Sequence, residues 1–374
     1  MLSATGWGTL AGGTALTALG YGFGYGEAAA LGTTGVLAVA VALLWSLPAP
    51  TLKTERRTAP HRVSRGDPAE SVVTLTNTGG RTRRGLRAVD RCGDRDIAAD
   101  VPPLAPGAAH ELRYALPTAR RGRVPVGPLR LERTDPLGLA RRMRPYGGQD
   151  TLLVRPRVHA LPVLPSGRAH HMEGPVSDTA DDGSLAFHAL RGYVLGDDLR
   201  RVHWRSTART GSLMVRQMVD VSLPHTTLVL DTRALAYGSE DDFELAVDCA
   251  ASVAHAAARS HFPVHLVDAT GPRTDLDDEA LLDELALVRR SDTTSLAAAF
   301  DVLESHRVSG TLVVVTGTED TGGLGAVDRV RRRYDRVTVL CAGAGASGPG
   351  PDVPHLRVAS LDELAVGWRR EAVR

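Results

Sequence analysis

The chain has 374 residues, 43% of them hydrophobic, enough for two soluble domains and too apolar for a largely disordered polymer. Its formal net charge of +1 argues against a strongly basic nucleic-acid binder, and no nucleic-acid partner is expected. Lys53 is the single lysine, so arginine carries the basic charge and only its placement is informative. Cys92, Cys249 and Cys341 are odd in number and far apart, which predicts neither a disulfide framework nor a zinc site and fits a reducing compartment.

Residues 1–50 read as a two-helix membrane anchor. Segments 6–25 and 28–47 contain no Lys, Arg, Asp, Glu or His, and each is long enough to cross ~30 Å of hydrocarbon. Glu27 marks the turn between them, and Trp7, Tyr21, Tyr25 and Trp45 lie near the four ends, where amphipathic rings favour the interface. Gly8 and Gly12, Gly20 and Gly24, and Gly22 and Gly26 are spaced for close helix approach. Lys53, Arg56, Arg57, Arg62 and Arg65 follow the second span. The positive-inside rule then places both termini in the cytoplasm, and the soluble domains on the cytoplasmic side of the cell (inner or plasma) membrane.

Residues 51–158 predict a β-sandwich, immunoglobulin-like in its short strands and Pro/Gly turns. Strands are expected at 71–77, 86–90, 112–116, 124–126, 129–133 and 152–155. This domain shows no catalytic constellation and reads as a spacer or binding module.

Residues 159–220 read as a linker followed by a charged motif. The adjacent His170 and His171 point apart on an extended chain, so no metal site is expected there. The stretch 187–209 is the most distinctive in the chain. It predicts a helix N-capped by Asp197, with Asp198 in its first turn and Gly211 at its end. On that helix Leu199 and Val202 share one face, and Arg201, Arg205 and Arg209 form an i, i+4 stripe beside His203 and Trp204. The stripe is either a solvated face paired with Asp197 and Asp198, or a dock for an acidic partner or phosphate. A β-run over 212–218 follows.

Residues 221–374 alternate strands and helices. Strands are expected at 227–231, 264–268, 312–316 and 337–340, and helices at 242–259, 277–288, 296–304, 324–334 and 361–371. Such alternation predicts a mainly parallel sheet covered on both faces, with ligands at the strands' carboxyl ends. Those ends carry Asp231, Asp268 and the segment 316–320.

The motif Leu190-Arg191, Tyr193, Gly196-Asp197-Asp198-Leu199-Arg200-Arg201-Val202-His203-Trp204, Ala208-Arg209, Gly211 and Leu213-Met214-Val215-Arg216 resembles the signature of bacterial domain-of-unknown-function 58 proteins. Gly192 stands where that signature has an acid. Arg120-Arg121-Gly122-Arg123, Gly127-Pro128, Asp135-Pro136-Leu137-Gly138-Leu139 and Pro156-Arg157-Val158 extend the resemblance into the β-domain. It implies a von Willebrand A-like C-terminal domain, Rossmann-like in layout, and a MoxR-type AAA+ ATPase as partner. Mg²⁺ sites of that domain use an Asp-x-Ser-x-Ser loop, a Thr and an Asp. Here the matching positions are Asp231, Arg233, Leu235, Thr294 and Gly317, a degenerate set in which Arg233 brings a cation to the metal position and is expected to pair with Asp231 instead, implying no bound Mg²⁺ and no other cofactor.

The leading expectation is a membrane-anchored, non-enzymatic adaptor for assembly or maturation of protein complexes. The chain has no phosphate-binding G-x-x-x-x-G-K-[ST] loop, so ATP hydrolysis would come from the partner. The alternatives are a hydrolase acting on envelope precursors, for which no nucleophile–base pair is evident, and a phosphate- or lipid-binding module.

Overall fold

The computed structural model describes residues 2–46, 51–164, 185–194, 197–220, 225–268, 271–273, 276–292, 295–305, 310–320, 323–345 and 355–373. The chain divides into two compact units, Met1–Arg155 and Pro156–Arg374.

The first unit opens with two helices, α1 (Ala4–Phe23) and α2 (Gly26–Ser46). Ser3 caps α1, its Oγ accepting from the Gly6 amide at 2.9 Å, and Gly24 ends it at φ 76°. The helices pack antiparallel, but not through the expected glycine pairs. Contact runs through Gly13, Gly20 and Gly32; a Cβ on Gly20 would fall 2.3 Å from the Ala29 amide nitrogen. Gly8, Gly12, Gly22, Gly24 and Gly26 face open space, because the buried stripe follows the helical period through Gly6, Gly13 and Gly20. By length and composition α2 can cross a membrane. Helix α1 is as long, but glycine and threonine dilute its apolar content, and it falls short of the same measure.

The strands that follow are β1 (Leu52–Ala59), β2 (Arg62–Ser64), β3 (Glu70–Asn77), β4 (Leu86–Cys92), β5 (Arg95–Val101), β6 (Ala109–Ala115), β7 (Gly122–Val126), β8 (Leu129–Thr134), β9 (Arg141–Tyr146) and β10 (Asp150–Arg155). One sheet has the order β1-β3-β6, the other β2-β10-β7-β4-β8-β9 with β5 also on β4. Alternation in β3 turns Ser71, Val73 and Leu75 inward, where Val73 and Leu75 meet Leu86, Ala88, Leu129 and Leu131 of the second sheet. All six expected strands are present. Four others, β1, β2, β5 and β9, were not expected, because LKTERRTA, RVS, RDIAADV and RRMRPY are charged or too short to show an apolar face.

One polar cluster crosses this sandwich. The Arg56 guanidinium on β1 donates to the Asp90 carboxylate on β4 at 2.9 Å and to the Tyr114 hydroxyl on β6 at 2.8 Å. Tyr114 in turn donates to Asp90, whose side chain is 2% exposed. Burial and the neighbouring carboxylate push the Tyr114 phenol well above its ordinary range.

The second unit contains β11 (Leu185–Gly192), α3 (Trp204–Thr210), β12 (Met214–Asp220), β13 (Thr226–Leu230), α4 (Glu240–Arg259), β14 (Val264–Asp268), β15 (Gly271–Arg273), α5 (Asp278–Leu287), α6 (Leu296–Ser305), β16 (Thr311–Gly317), α7 (Val327–Arg331), β17 (Arg336–Ala342), β18 (His355–Val358) and α8 (Leu361–Val373). Strands β11 and β12 form a separate antiparallel pair. The main sheet has the order β15-β14-β13-β16-β17-β18, parallel except for β15. Strand residues alternate between two cores. Leu228, Leu230, Val313 and Val315 meet Phe243, Leu281 and Trp368 on one face. Val229, Val314 and Val339 meet Phe300, Leu303 and Val330 on the other. Both faces are therefore covered, as apolar strands alternating with helices require. The helix expected over 324–334 is shorter: a 3₁₀ turn at Leu324–Ala326 leads into α7.

Residues 156–158, expected in the sandwich, and the start of the expected linker belong to this unit. Val158, Leu161 and Leu164 pack on the Trp368 side, and the indole of Trp368 donates to the Pro162 carbonyl at 2.8 Å. His170 and His171 lie outside the described residues.

Candidate functional site

The carboxyl end of β13 delivers Asp231, whose side chain is fully buried. Its Oδ1 accepts from the Arg233 amide and Nε, both at 3.0 Å. Its Oδ2 accepts from Arg233 Nη2 and from the Thr316 hydroxyl on β16, both at 2.8 Å. The same guanidinium donates from Nη1 to Asp320 Oδ2 at 2.9 Å and from Nη2 to the Asp320 carbonyl at 3.0 Å. Tyr237 donates its hydroxyl to the Asp231 carbonyl at 2.5 Å. Hydrogen bonding to Asp231 raises the Arg233 pKa further, so the cation is permanent.

The expected pairing of Arg233 with Asp231 is thus present, extended by Thr316 and Asp320. These two were not singled out as partners, although Thr316 ends an apolar strand and Asp320 follows it closely. Leu235 is 76% exposed and offers no metal donor. Gly317 sits against the chain, where a Cβ would meet the Ala236 carbonyl oxygen at 1.9 Å, so the position admits no carboxylate. Thr294 and the side chain of Asp268 lie outside the described residues. Both Asp231 oxygens are engaged by a guanidinium that also holds the Asp320 carboxylate, and the two serine positions of the metal loop carry Arg233 and Leu235, which supply no oxygen. The donor set does not fit Mg²⁺, which needs hard oxygens in a near-octahedral array.

The charged motif folds differently from the sequence expectation. Asp197 does not cap a helix. It forms a two-pronged ion pair with Arg191, both contacts 2.7 Å, and accepts from the Val194 amide at 2.9 Å. The Arg191 guanidinium, with that amide, holds the Asp197 carboxyl below its ordinary range. Asp198 caps a 3₁₀ turn at Leu199–Arg201 through the Arg200 amide. Helix α3 starts only at Trp204, with His203 as its cap: His203 Nδ1 lies 2.8 Å from Ser206 Oγ and accepts from the Ser206 amide at 3.3 Å.

The expected three-arginine stripe is therefore broken. Arg205 and Arg209 share α3 and are exposed, whereas Arg201 belongs to the preceding turn. Leu199 and Val202 do not share a face either: Leu199 is 60% exposed, while Val202 is buried and bridges to Val215 of β12. The physical reason is local. Val202 takes extended backbone at ψ 126°, and the His203 amide bonds to the Met214 carbonyl at 2.8 Å. The chain there joins the β-hairpin instead of continuing a helix. Tyr193 docks the same way, its amide donating to the Leu213 carbonyl at 2.8 Å. Trp204, 67% exposed, stands beside Arg205. Gly196 lies outside the described residues.

A two-helix apolar N-terminus, a β-sandwich, and a parallel α/β domain entered through a β-hairpin with an inserted helix define the class of this protein. Residues 189–341 match the family model "Protein of unknown function DUF58", a span that holds both the charged motif and the Asp231–Arg233 pair. No curated protein matches the chain. Among solved structures, the CARDB domain of the PF1109 protein from Pyrococcus furiosus is similar at 15% identity, over 28% of this chain and 93% of that one, with a TM-score of 0.22. The PKD domain of an M14-like peptidase from Thermoplasmatales archaeon SCGC AB-540-F20 is similar at 15% identity, over 27% and 92%, with a TM-score of 0.19.

Proposed function

We propose that the protein is a membrane-tethered, non-catalytic adaptor with cytoplasmic soluble domains. Helices α1 and α2 form its anchor. Its α/β domain, of the von Willebrand A type, receives a protein partner at the carboxyl end of the parallel sheet. The Asp231–Arg233 pair carries this reading. In a metal-dependent domain of this type a bound cation would sit at the strand ends. Here a covalently attached guanidinium takes the place of that cation and is held by Asp231 and Asp320. The exposed Leu235 beside it supplies an apolar contact of the kind that protein interfaces bury. The partner is a MoxR-type AAA+ ATPase; the support for this is the resemblance of the charged motif.

The test is affinity purification of the full-length protein from detergent-solubilised native membranes, read by mass spectrometry beside a Leu235→Asp variant and a Trp204→Ala/Arg205→Glu variant. Enrichment of an AAA+ ATPase with the wild type, reduced at least tenfold by Leu235→Asp, is the expected result. Loss only with the Trp204/Arg205 variant moves the docking surface to the charged motif. Absence of any such ATPase from crosslinked wild-type samples overturns the partner assignment.

A further inference from the structure

The turn between β8 and β9, Asp135-Pro136-Leu137-Gly138-Leu139-Ala140, packs against the N-terminal helices. Asp135, 5% exposed, organises it: Oδ2 accepts from the Leu137 amide at 2.9 Å, Oδ1 from the Ala140 amide at 2.5 Å, and its carbonyl from the Gly138 amide at 3.0 Å. Ser3, the cap of α1, clamps the turn, donating from Oγ to the Gly138 carbonyl at 2.6 Å and from its amide to the Leu139 carbonyl at 2.9 Å. Gly6 makes room, since a Cβ there would lie 2.0 Å from the Leu139 carbonyl oxygen. Leu139 and Ala140 form a buried cluster with Val39 and Ala42 of α2.

This contact fixes the depth of the turn. Val39 and Ala42 precede the end of α2 at Ser46 by about 10 and 6 Å, at ~1.5 Å rise per residue. The turn therefore reaches one to two helical turns into the apolar length of α2. Its apex, Leu137, is 66% exposed. The turn's amides at Leu137, Gly138 and Ala140 are bonded internally, as a low-dielectric setting requires.

Arginines flank the base of the turn. Arg141 and Arg142 follow the turn directly, and Arg133 precedes it. The pairing of Leu86 with Arg133 sets Arg84, two residues before β4, in register with Asp135. Arg84 and Arg141 are exposed. The nearby Glu132 carboxylate, 3.7 Å from Arg141, is 15% exposed. The end of the sandwich that meets the anchor thus offers an apolar tip inside a cationic collar.

We infer that the Asp135–Ala140 turn is a wedge that inserts Leu137 into the interfacial layer of the bilayer, with Arg84 and Arg141 binding anionic lipid headgroups. The inference rests on the proposed membrane anchor and is independent of the partner at the strand ends. The wedge and the clamp at Ser3 hold the sandwich at a set angle to the membrane.

The experiment uses the full chain in phosphatidylcholine vesicles with and without phosphatidylglycerol. Cysteine is introduced by Leu137→Cys, by Leu37→Cys on the exposed side of α2, or by Asp94→Cys in the β4–β5 turn at the far end of β4, and each is labelled with an environment-sensitive fluorophore. Cys92, Cys249 and Cys341 are buried and leave little background. The expected result is blue-shifted emission at 137, quenched by shallow spin-labelled lipid, with lipid-like emission at 37 and aqueous emission at 94. Lipid-like emission at 37 with aqueous emission at 137 overturns the wedge and leaves the anchor standing. Aqueous emission at 37 overturns the anchor and the wedge with it. Arg84→Glu/Arg141→Glu is expected to reduce quenching at 137 at least twofold in phosphatidylglycerol vesicles alone; equal quenching in both lipids, unchanged by the variant, overturns the headgroup contact.

Discussion

Arg233 engages both oxygens of the Asp231 carboxylate, with Nε 3.0 Å from Oδ1 and Nη2 2.8 Å from Oδ2. The Asp231 side chain is fully buried and that of Arg233 14% exposed. Removing one partner strands the other in a low-dielectric site, at a cost of about 3–5 kcal/mol. Arg233→Ala is therefore expected to shift the denaturation of the α/β unit to markedly lower urea. Asp231→Leu/Arg233→Met, which removes both charges, is expected to recover most of the loss. A double variant no more stable than Arg233→Ala would show that stranded charge is not the cause.

The same pair predicts how the site treats divalent ions. Titration calorimetry of the wild type with Mg²⁺ is expected to show no stoichiometric heat. Uptake abolished by Asp231→Ala would mean that the guanidinium yields to metal.

Arg56, Asp90 and Tyr114 tie the two sheets of the sandwich together. Asp90→Ala leaves Arg56 without its carboxylate in a site where the Arg56 side chain is 10% exposed, with an expected loss of about 3–5 kcal/mol. Tyr114→Phe removes one hydroxyl and is expected to cost about 1–3 kcal/mol. Chemical denaturation followed through the sandwich transition checks the order of the two.

Burial raises the Cys92 and Cys341 thiols to about 11 and also pushes up Cys249. Because their folded pKa values exceed the usual thiol value of 9.0, their contribution to stability is complete below pH 9 and is lost as pH rises towards 11. Iodoacetamide at pH 8 is expected to leave all three unmodified in the native protein and to modify all three in denaturant, as read by intact mass. Native stability is expected to fall progressively above pH 9.

Asp197, paired with Arg191, titrates below the ordinary carboxylate value of 3.8. A lowered folded pKa gives stabilisation that is complete above 3.8 and is lost as pH falls through the folded value. Amide protection factors at residues 191–194 and 197–199, taken relative to intrinsic exchange at each pH, are expected to fall below pH 4, and Arg191→Ala is expected to lower them at neutral pH.

Periodicity and run length, both local properties, determined the anchor's helical segments, the six strongest sandwich strands, and the parallel sheet with its covering helices. TTLVL at 226–230 is buried on both faces and could be little else. The Asp231–Arg233 pair was also legible, because two residues of spacing at a strand end suffice for the contact. Tertiary structure alone decided the rest. Strand β1 holds so many charges that only pairing along the whole of β3 makes it a strand, and its Arg56 is buried only because Asp90 and Tyr114 arrive from elsewhere in the chain. The charged motif carries helix-forming residues from 197 onward, yet Val202 and His203 are claimed by β12, so the helix begins at Trp204. Ser3 and Leu139 meet across 136 residues of sequence, a separation over which no local pattern carries information.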